Sequence, residues 1–317
     1  MEDFAGLSTE QRNTLTTHLD TMSATEVAAV MNAEDHTIAD AIAPHIPNIG
    51  KVAEAAAQSL ANNGRLIYIG AGTSGRLGLL DAVECPPTFG TDPAQVVGVI
   101  AGGDQAFIAA QEGAEDSAGD GSEAIVQLAV TERDTVVGIS ASGRTPYVLG
   151  ALGQAHRSGC VTAAISNNPH SPIGQAADIA IDVPVGPEVL SGSTRLKSGT
   201  AQKMILNMIS TAAMVRAGKT FGNLMVDVKQ TNEKLRNRAE RIVCEATGVP
   251  QETAREALRN CNGSCKLAIL TLLANCDAAQ AAEVLEKAGG HVREALLTLA
   301  PTDTPPAGSA TDNKGVK

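Results

Sequence analysis

Two short stretches combine glycines with closely spaced hydroxyls, and both suit the grip of a phosphate ester. Gly70-Ala-Gly-Thr-Ser-Gly-Arg-Leu-Gly78 puts Thr73, Ser74, Gly75 and Arg76 directly after an apolar run. Glycine lets backbone approach a ligand closely, and the free N–H groups where a helix begins attract an anion. Ser140-Ala-Ser-Gly-Arg-Thr-Pro146 repeats this chemistry with Ser140, Ser142, Arg144 and Thr145, followed by a proline suited to a first helical turn. One such turn is equally a plain helix cap, whereas two on neighbouring strands can converge on one phosphate. Gly70, Gly72 and Gly75 also match a dinucleotide-binding spacing. The next strand, however, ends at Ile100-Ala-Gly-Gly103, without the acidic residue that would hold a ribose. Paired hydroxyls fit a phosphomonoester better.

Acid–base chemistry needs carboxylates, and two segments supply them. Glu84 precedes Pro86-Pro87, which predicts that a helix opening at Ser74 stops there and leaves Glu84 at its C-terminal end. The helix dipole disfavours a negative charge at that end, and partial burial would add to this, so Glu84 suits a general acid. Glu112 and Glu115 are spaced to share one helix face, where they read either as a solvated surface or as a working pair. Carboxylates from different segments are the usual equipment for chemistry at a sugar. A further polar loop, Gly186 to Lys203, offers Glu188, Ser193, Arg195 and Lys197 as ligands for substrate.

These residues need a frame, and the apolar runs provide one. Residues 65–70, 95–100, 134–140, 161–166 and 178–183 are short, β-branched and nearly continuously hydrophobic, as strands covered on both faces are. The segments between them are long enough for crossover helices. The expected fold is α/β, a five-stranded parallel sheet flanked by helices. Ligands bind beyond the carboxyl ends of such strands, where both hydroxyl turns fall. The predicted organisation is an N-terminal helical segment over 1–63 packed on a sugar-phosphate-binding domain over 64–220. A connecting helix over 221–248, a small helical (UBA-like) unit over 249–300 and a disordered tail over 301–317 follow. Ser23 and Glu26 have the spacing of a capping box.

Composition narrows the function. The 317 residues carry a formal charge of −11 and only 2% aromatics, which argues against nucleic acid and anionic membranes as partners. The acidic start lacks the pattern of a signal peptide, and no apolar run is long enough to span a bilayer. The six cysteines form no CxxC pair and no histidine stands at ligand spacing from them, so no metal site is expected, and acid–base chemistry by two carboxylates calls for no other cofactor.

Taken in order, these motifs resemble a known family. Gly70–Gly78, Asp81-Ala-Val-Glu84-Cys-Pro-Pro87, Glu112–Asp116, Ser140–Tyr147, Ser193–Lys203 and Phe221-Gly-Asn-Leu-Met-Val-Asp227 are similar to those of bacterial N-acetylmuramic acid 6-phosphate etherases. These belong to the sugar isomerase (SIS) domain superfamily, which also has a non-catalytic relative in the glucokinase regulatory protein. The resemblance runs from about Thr21 to Leu296. Val83 and Phe89 depart from it mildly, and neither removes a catalytic group. It implies a cytoplasmic homodimer that releases D-lactate from a phosphorylated amino sugar during cell-wall recycling. It also implies that Glu84 is the proton donor and Glu115 the second active-site carboxylate. Two other readings use the same residues: an aldose–ketose sugar-phosphate isomerase, and a sugar-phosphate sensor without catalysis.

Overall fold

The computed structural model describes residues 6–109, 111–230 and 233–299. Three single 3-10 turns lead in, at Ser8–Glu10, Thr14–Thr16 and Leu19–Thr21, where the sequence reads as helix from Leu7. Helix α1 (Ala24–Asp35) opens on the expected capping box, with Ser23 and Glu26 each satisfying the other's backbone N–H. Helices α2 (Thr37–Ile42) and α3 (Ile46–Ala61) follow, and Pro47 sits in the first turn of α3, where its missing N–H costs nothing.

The strand–helix rhythm then runs β1 (Leu66–Gly70), α4 (Gly72–Phe89), β2 (Val96–Ile100), α5 (Gln105–Ile108), α6 (Ala118–Gln127), β3 (Thr135–Ser140), α7 (Pro146–Arg157), β4 (Val161–Ser166), α8 (Pro172–Gln175), β5 (Ile179–Asp182) and α9 (Lys197–Arg216). The five strands form one parallel sheet in the order β2-β1-β3-β4-β5. Successive side chains alternate between its faces. Leu66, Tyr68, Val137 and Ile139 pack with Val52 of α3, Ala82 of α4 and Ile205 of α9. Ile67, Ile69 and Val136 pack with Ile125 of α6 and Val148 and Leu152 of α7. The long apolar α9 is therefore central to one layer, as its composition suggests.

Phe221 does not begin a connecting helix. A hairpin of β6 (Thr220–Phe221) and β7 (Leu224–Met225) turns on Gly222 at φ 57°, a left-handed conformation that favours glycine, and α10 (Glu233–Thr247) starts later. The described residues form two compact units, one ending at Asn237 and one beginning at Arg238. In the second, α11 (Gln251–Asn260), α12 (Cys265–Ala274), α13 (Ala278–Lys287) and α14 (Val292–Leu299) are separated by turns at Asn262-Gly263, Asn275-Cys276-Asp277 and Gly289-Gly290. Its core is α12, with Ala268, Ile269 and Leu270 buried. The tail expected over 301–317 lies outside the described residues. No single helix among them is long and apolar enough to cross a membrane.

Candidate active site

The turn after β1 owes its glycines mainly to packing. A Cβ on Gly75 would stand 2.7 Å from both the Gly70 carbonyl oxygen and a side-chain carbon of Ile100. The Gly75 N–H is already donated to Ala71. Gly75 thus brings α4 down onto β1 and β2, with its N–H already used inside the helix. Gly72 differs: it is exposed, stands at φ 52°, and has open space where a side chain would be. Thr73 beside it is half-buried, while Ser74 is buried and donates its hydroxyl to Gln202 Oε1 at 2.9 Å.

The turn after β3 is a cluster of hydroxyls. Ser140 Oγ lies 2.8 Å from Thr145 Oγ1 and 3.2 Å from Ser142 Oγ, and accepts the Gly143 N–H at 3.0 Å. Ser142 Oγ accepts the Arg144 N–H. Thr145 occupies the N-cap of α7 without capping it, so its hydroxyl stays with the cluster. The Arg144 Nε is buried and unpartnered among the described residues. A buried unpaired donor is costly, and an anion at this turn would satisfy it.

One chain of hydrogen bonds joins the two turns. From Ser74 it passes to Gln202, whose amide donates to Asn167 Oδ1 at 3.0 Å, and the Asn167 N–H bonds the Ala141 carbonyl. Asn168 adds a clamp: its side-chain Nδ2 donates to the Ala141 carbonyl, and its Oδ1 accepts from the backbone N–H and the hydroxyl of Ser8, each at 2.8 Å. Sequence reasoning missed Asn167, Asn168 and Gln202. The first two stand in the turn after β4, a place already marked as ligand-facing, and Gln202 lies within the quoted Ser193–Lys203 motif.

The two carboxylates are placed differently. Helix α4 does not stop at Pro86-Pro87 but runs to Phe89, where Gly90 at φ 66° ends it. Adjacent prolines remove two N–H donors without breaking the last turn. Glu84 therefore sits inside the helix, and on its exposed side, next to exposed Leu80 and Val83. The opposite side is fixed by Asp81, which accepts from Asn207 Nδ2 at 2.7 Å and Ser210 Oγ at 3.1 Å and so ties α4 to α9. Burial, then the charges of Asp81 and Glu84, push the Cys85 thiol up to about 12.

Glu112 and Glu115 do not share a helix face. Gly113 at φ 76° interrupts them, and Glu115 belongs to a 3-10 turn, Ala114–Asp116. Both nevertheless line one cavity of about 190 Å³, together with Ala71, Gly72 and Arg76. Glu115 thus meets the open glycine turn of β1, whereas Glu84 is not among that cavity's walls. Arg76 is not a free cation: its Nε donates to the Phe107 carbonyl at 3.0 Å and its Nη2 to the Ala106 carbonyl at 2.7 Å.

In the loop before α9, two of the expected substrate ligands have partners of their own. Glu188 is fully buried, and its oxygens accept the N–H groups of Lys197 and Ser198, each at 2.9 Å. It satisfies orphan donors of the first turn of α9 and complements the helix dipole. Lys197 is buried too, and its Nζ is held by Glu34 Oε2 at 2.6 Å. Both side chains are thus engaged within the protein. Ser193 is half-buried and Arg195 exposed, which leaves both accessible. Among the described residues there is no group of three His, Cys, Asp or Glu placed to hold a metal.

Residues 48–156 match the glucokinase regulatory protein N-terminal SIS domain, and residues 118–212 match the SIS domain. The chain is 54% identical to an N-acetylmuramic acid 6-phosphate etherase of Mycolicibacterium smegmatis over 93% of its own length and 99% of that protein's. It is 52% identical to one of Klebsiella aerogenes over 93% and 98%, and 55% identical to one of Pectobacterium atrosepticum over 92% and 96%.

Proposed function

The chain belongs to the N-acetylmuramic acid 6-phosphate etherase family, and from that premise we propose that it splits the D-lactyl ether of N-acetylmuramic acid 6-phosphate into N-acetylglucosamine 6-phosphate and D-lactate. The near full-length similarity to that family carries the proposal. Within the chain, the hydroxyl cluster of Ser140, Ser142 and Thr145 with the unpaired Arg144 Nε suits the phosphate, with Thr73, Ser193 and Arg195 as further polar partners.

The chemistry follows from the substrate. In the opened sugar the C2 hydrogen is α to the C1 aldehyde, so a base can remove it. The C3–oxygen bond then breaks, and an acid protonates the departing lactate oxygen, leaving an unsaturated aldehyde. Water adds its oxygen at C3 and a proton returns to C2. We assign the acid to Glu84 and the base at C2 to Glu115. Each positioned group contributes roughly 10²–10⁴-fold in rate. Glu115 lines a cavity with the β1 turn, which supports its role.

Glu84 lies on an exposed helix side flanked by apolar Leu80 and Val83. A groove between α3 and α9, lined by Ile46, Ile49, Met204 and Met208, is also open. Both features support a homodimer, in which a second copy covers apolar surface. The six free thiols suit a reducing compartment, and we place the enzyme in the cytoplasm, in cell-wall amino-sugar recycling.

The test is to incubate the protein with N-acetylmuramic acid 6-phosphate and assay D-lactate, beside Glu84→Gln. Lactate from the native protein alone supports both the activity and the acid. Lactate from both proteins keeps the activity and overturns the role of Glu84. Sugar phosphate bound without lactate makes the chain a sensor.

A further inference from the structure

We propose that Arg76 is a positioning residue that holds Glu115 in register with the β1 turn, and that it does not bind the phosphate. The proposal rests on the etherase reading. Glu115 lies in the segment between β2 and α6, and the hydrogen bonds that anchor this segment are few. Its short helix α5 ends at Ile108, and the carbonyls of Ala106 and Phe107 lie in its last turn, where acceptors outnumber the helix's own donors. Arg76 fills both, Nη2 to Ala106 and Nε to Phe107, as a guanidinium capping a helix C-terminus from another element. Among the described residues, these are the only side-chain hydrogen bonds that tie 102–109 and 111–116 to the rest of the chain, and the backbone adds one local turn, Gly103 N–H to the Ile100 carbonyl. The segment is otherwise held by packing, with Ala106 buried and Ala114 against the core cluster of α6 and α7.

The position of Arg76 gives this strap its consequence. It stands in the second turn of α4, just after the open Gly72, and lines the same cavity as Glu112 and Glu115. One side chain therefore ties the helix that carries Glu84 to α5, in the same segment as Glu115, and shares a cavity with that carboxylate. A planar fork with several N–H groups can cap two carbonyls at once, which a lysine ammonium on a flexible stem does less well. Misplacement of a reacting group by about 1 Å costs on the order of 10²-fold in rate, so loosening the strap acts on turnover.

The experiment compares Arg76→Lys, Arg76→Met, Glu115→Gln and the double variant Arg76→Met/Glu115→Gln. Readouts are lactate release, the affinity for N-acetylglucosamine 6-phosphate, and hydrogen exchange over residues 102–109. The expected result for Arg76→Met is a kcat lower by roughly 10²-fold, with KM and product affinity little changed and faster exchange in that segment. Arg76→Lys should recover part of the turnover. The double variant should be no slower than Glu115→Gln, because Arg76 acts through that carboxylate. Weakened product binding with kcat intact would make Arg76 a phosphate ligand and overturn the proposal, as would unchanged exchange. If the native protein releases no lactate, the etherase reading fails separately, and the exchange data still decide the strap.

Discussion

Lys197 Nζ sits 2.6 Å from Glu34 Oε2 with both side chains largely out of water, joining the start of α9 to the end of α1. Asn13 Nδ2 donates to the same glutamate oxygen at 2.9 Å, so the pair also holds the N-terminal 3-10 turns. Breaking a buried pair from one side strands the other charge, at a cost of about 3–5 kcal/mol. Lys197→Met should therefore lower stability by that order, and Lys197→Met/Glu34→Met should recover much of it. Urea unfolding followed by circular dichroism measures this. A Lys197→Met protein as stable as the native one, with weakened sugar-phosphate affinity, would return Lys197 to the substrate site.

Glu188 makes a related prediction at the same helix. Its two oxygens serve two backbone donors inside a fully buried pocket. Glu188→Ala leaves both N–H groups of Lys197 and Ser198 without acceptors, and each unsatisfied donor costs about 1–3 kcal/mol. Thermal unfolding should show a large fall in midpoint. Glu188→Gln, which keeps one acceptor oxygen, should lie between. A midpoint unaltered in both variants would mean that the cap contributes nothing.

The sheet and the two hydroxyl turns were legible in the sequence because they rest on local patterns. Five β-branched runs, the first, third and fourth followed by small polar turns, define β1 to β5 to within a residue or two. The partners of charged side chains were not legible. Lys197 and Glu34 are 163 residues apart, and no spacing rule brings them together. The same holds for Arg76, which in the motif reads as a cation for phosphate and in the fold caps carbonyls 30 and 31 residues away. Glu84 was misplaced along its helix for a different reason. A proline pair weakens a helix interior but is tolerated where packing holds the last turn, here through buried Cys85 and Phe89.

Acid stability should depend on Asp134. Burial alone would raise its carboxyl, but hydrogen bonds from the Arg65 guanidinium and from the Thr131 and Arg65 N–H groups outweigh it and hold it below its usual value. In the unfolded chain an aspartate titrates near about 3.9. A carboxyl depressed in the folded state stabilises fully above that pH, and its contribution is lost as pH falls through the folded value. Asp134→Asn should therefore unfold more readily than the native protein at pH 7. The gap between them should narrow below about pH 4. Denaturation midpoints across that window provide the check, and a gap that stays constant would remove Asp134 from the acid response.

Ser74 and Ser142 separate architecture from ligand binding within the two hydroxyl turns. Ser74 has one proton, and it is given to buried Gln202 at 2.9 Å. To hold a phosphate it would have to abandon Gln202, whose Oε1 would lose this donor in the interior. Ser74→Ala should therefore reduce stability, by about 1–3 kcal/mol for an acceptor left unpaired, and change sugar-phosphate affinity little. Ser142 is half-buried, its hydroxyl neighbour Ser140 can reorient, and its other contact is a long bond from the Arg144 N–H at 3.2 Å. Ser142→Ala should leave stability nearly unchanged and weaken binding of N-acetylglucosamine 6-phosphate by about 1.5–3 kcal/mol, the value of a hydrogen bond to a charged group. Calorimetric titration and thermal unfolding of the two variants make the comparison. If Ser74→Ala lost affinity at native stability, the first turn would contact the phosphate directly and the link to Gln202 would break on binding. If Ser142→Ala bound as tightly as the native protein, the hydroxyl cluster after β3 would not be the phosphate site.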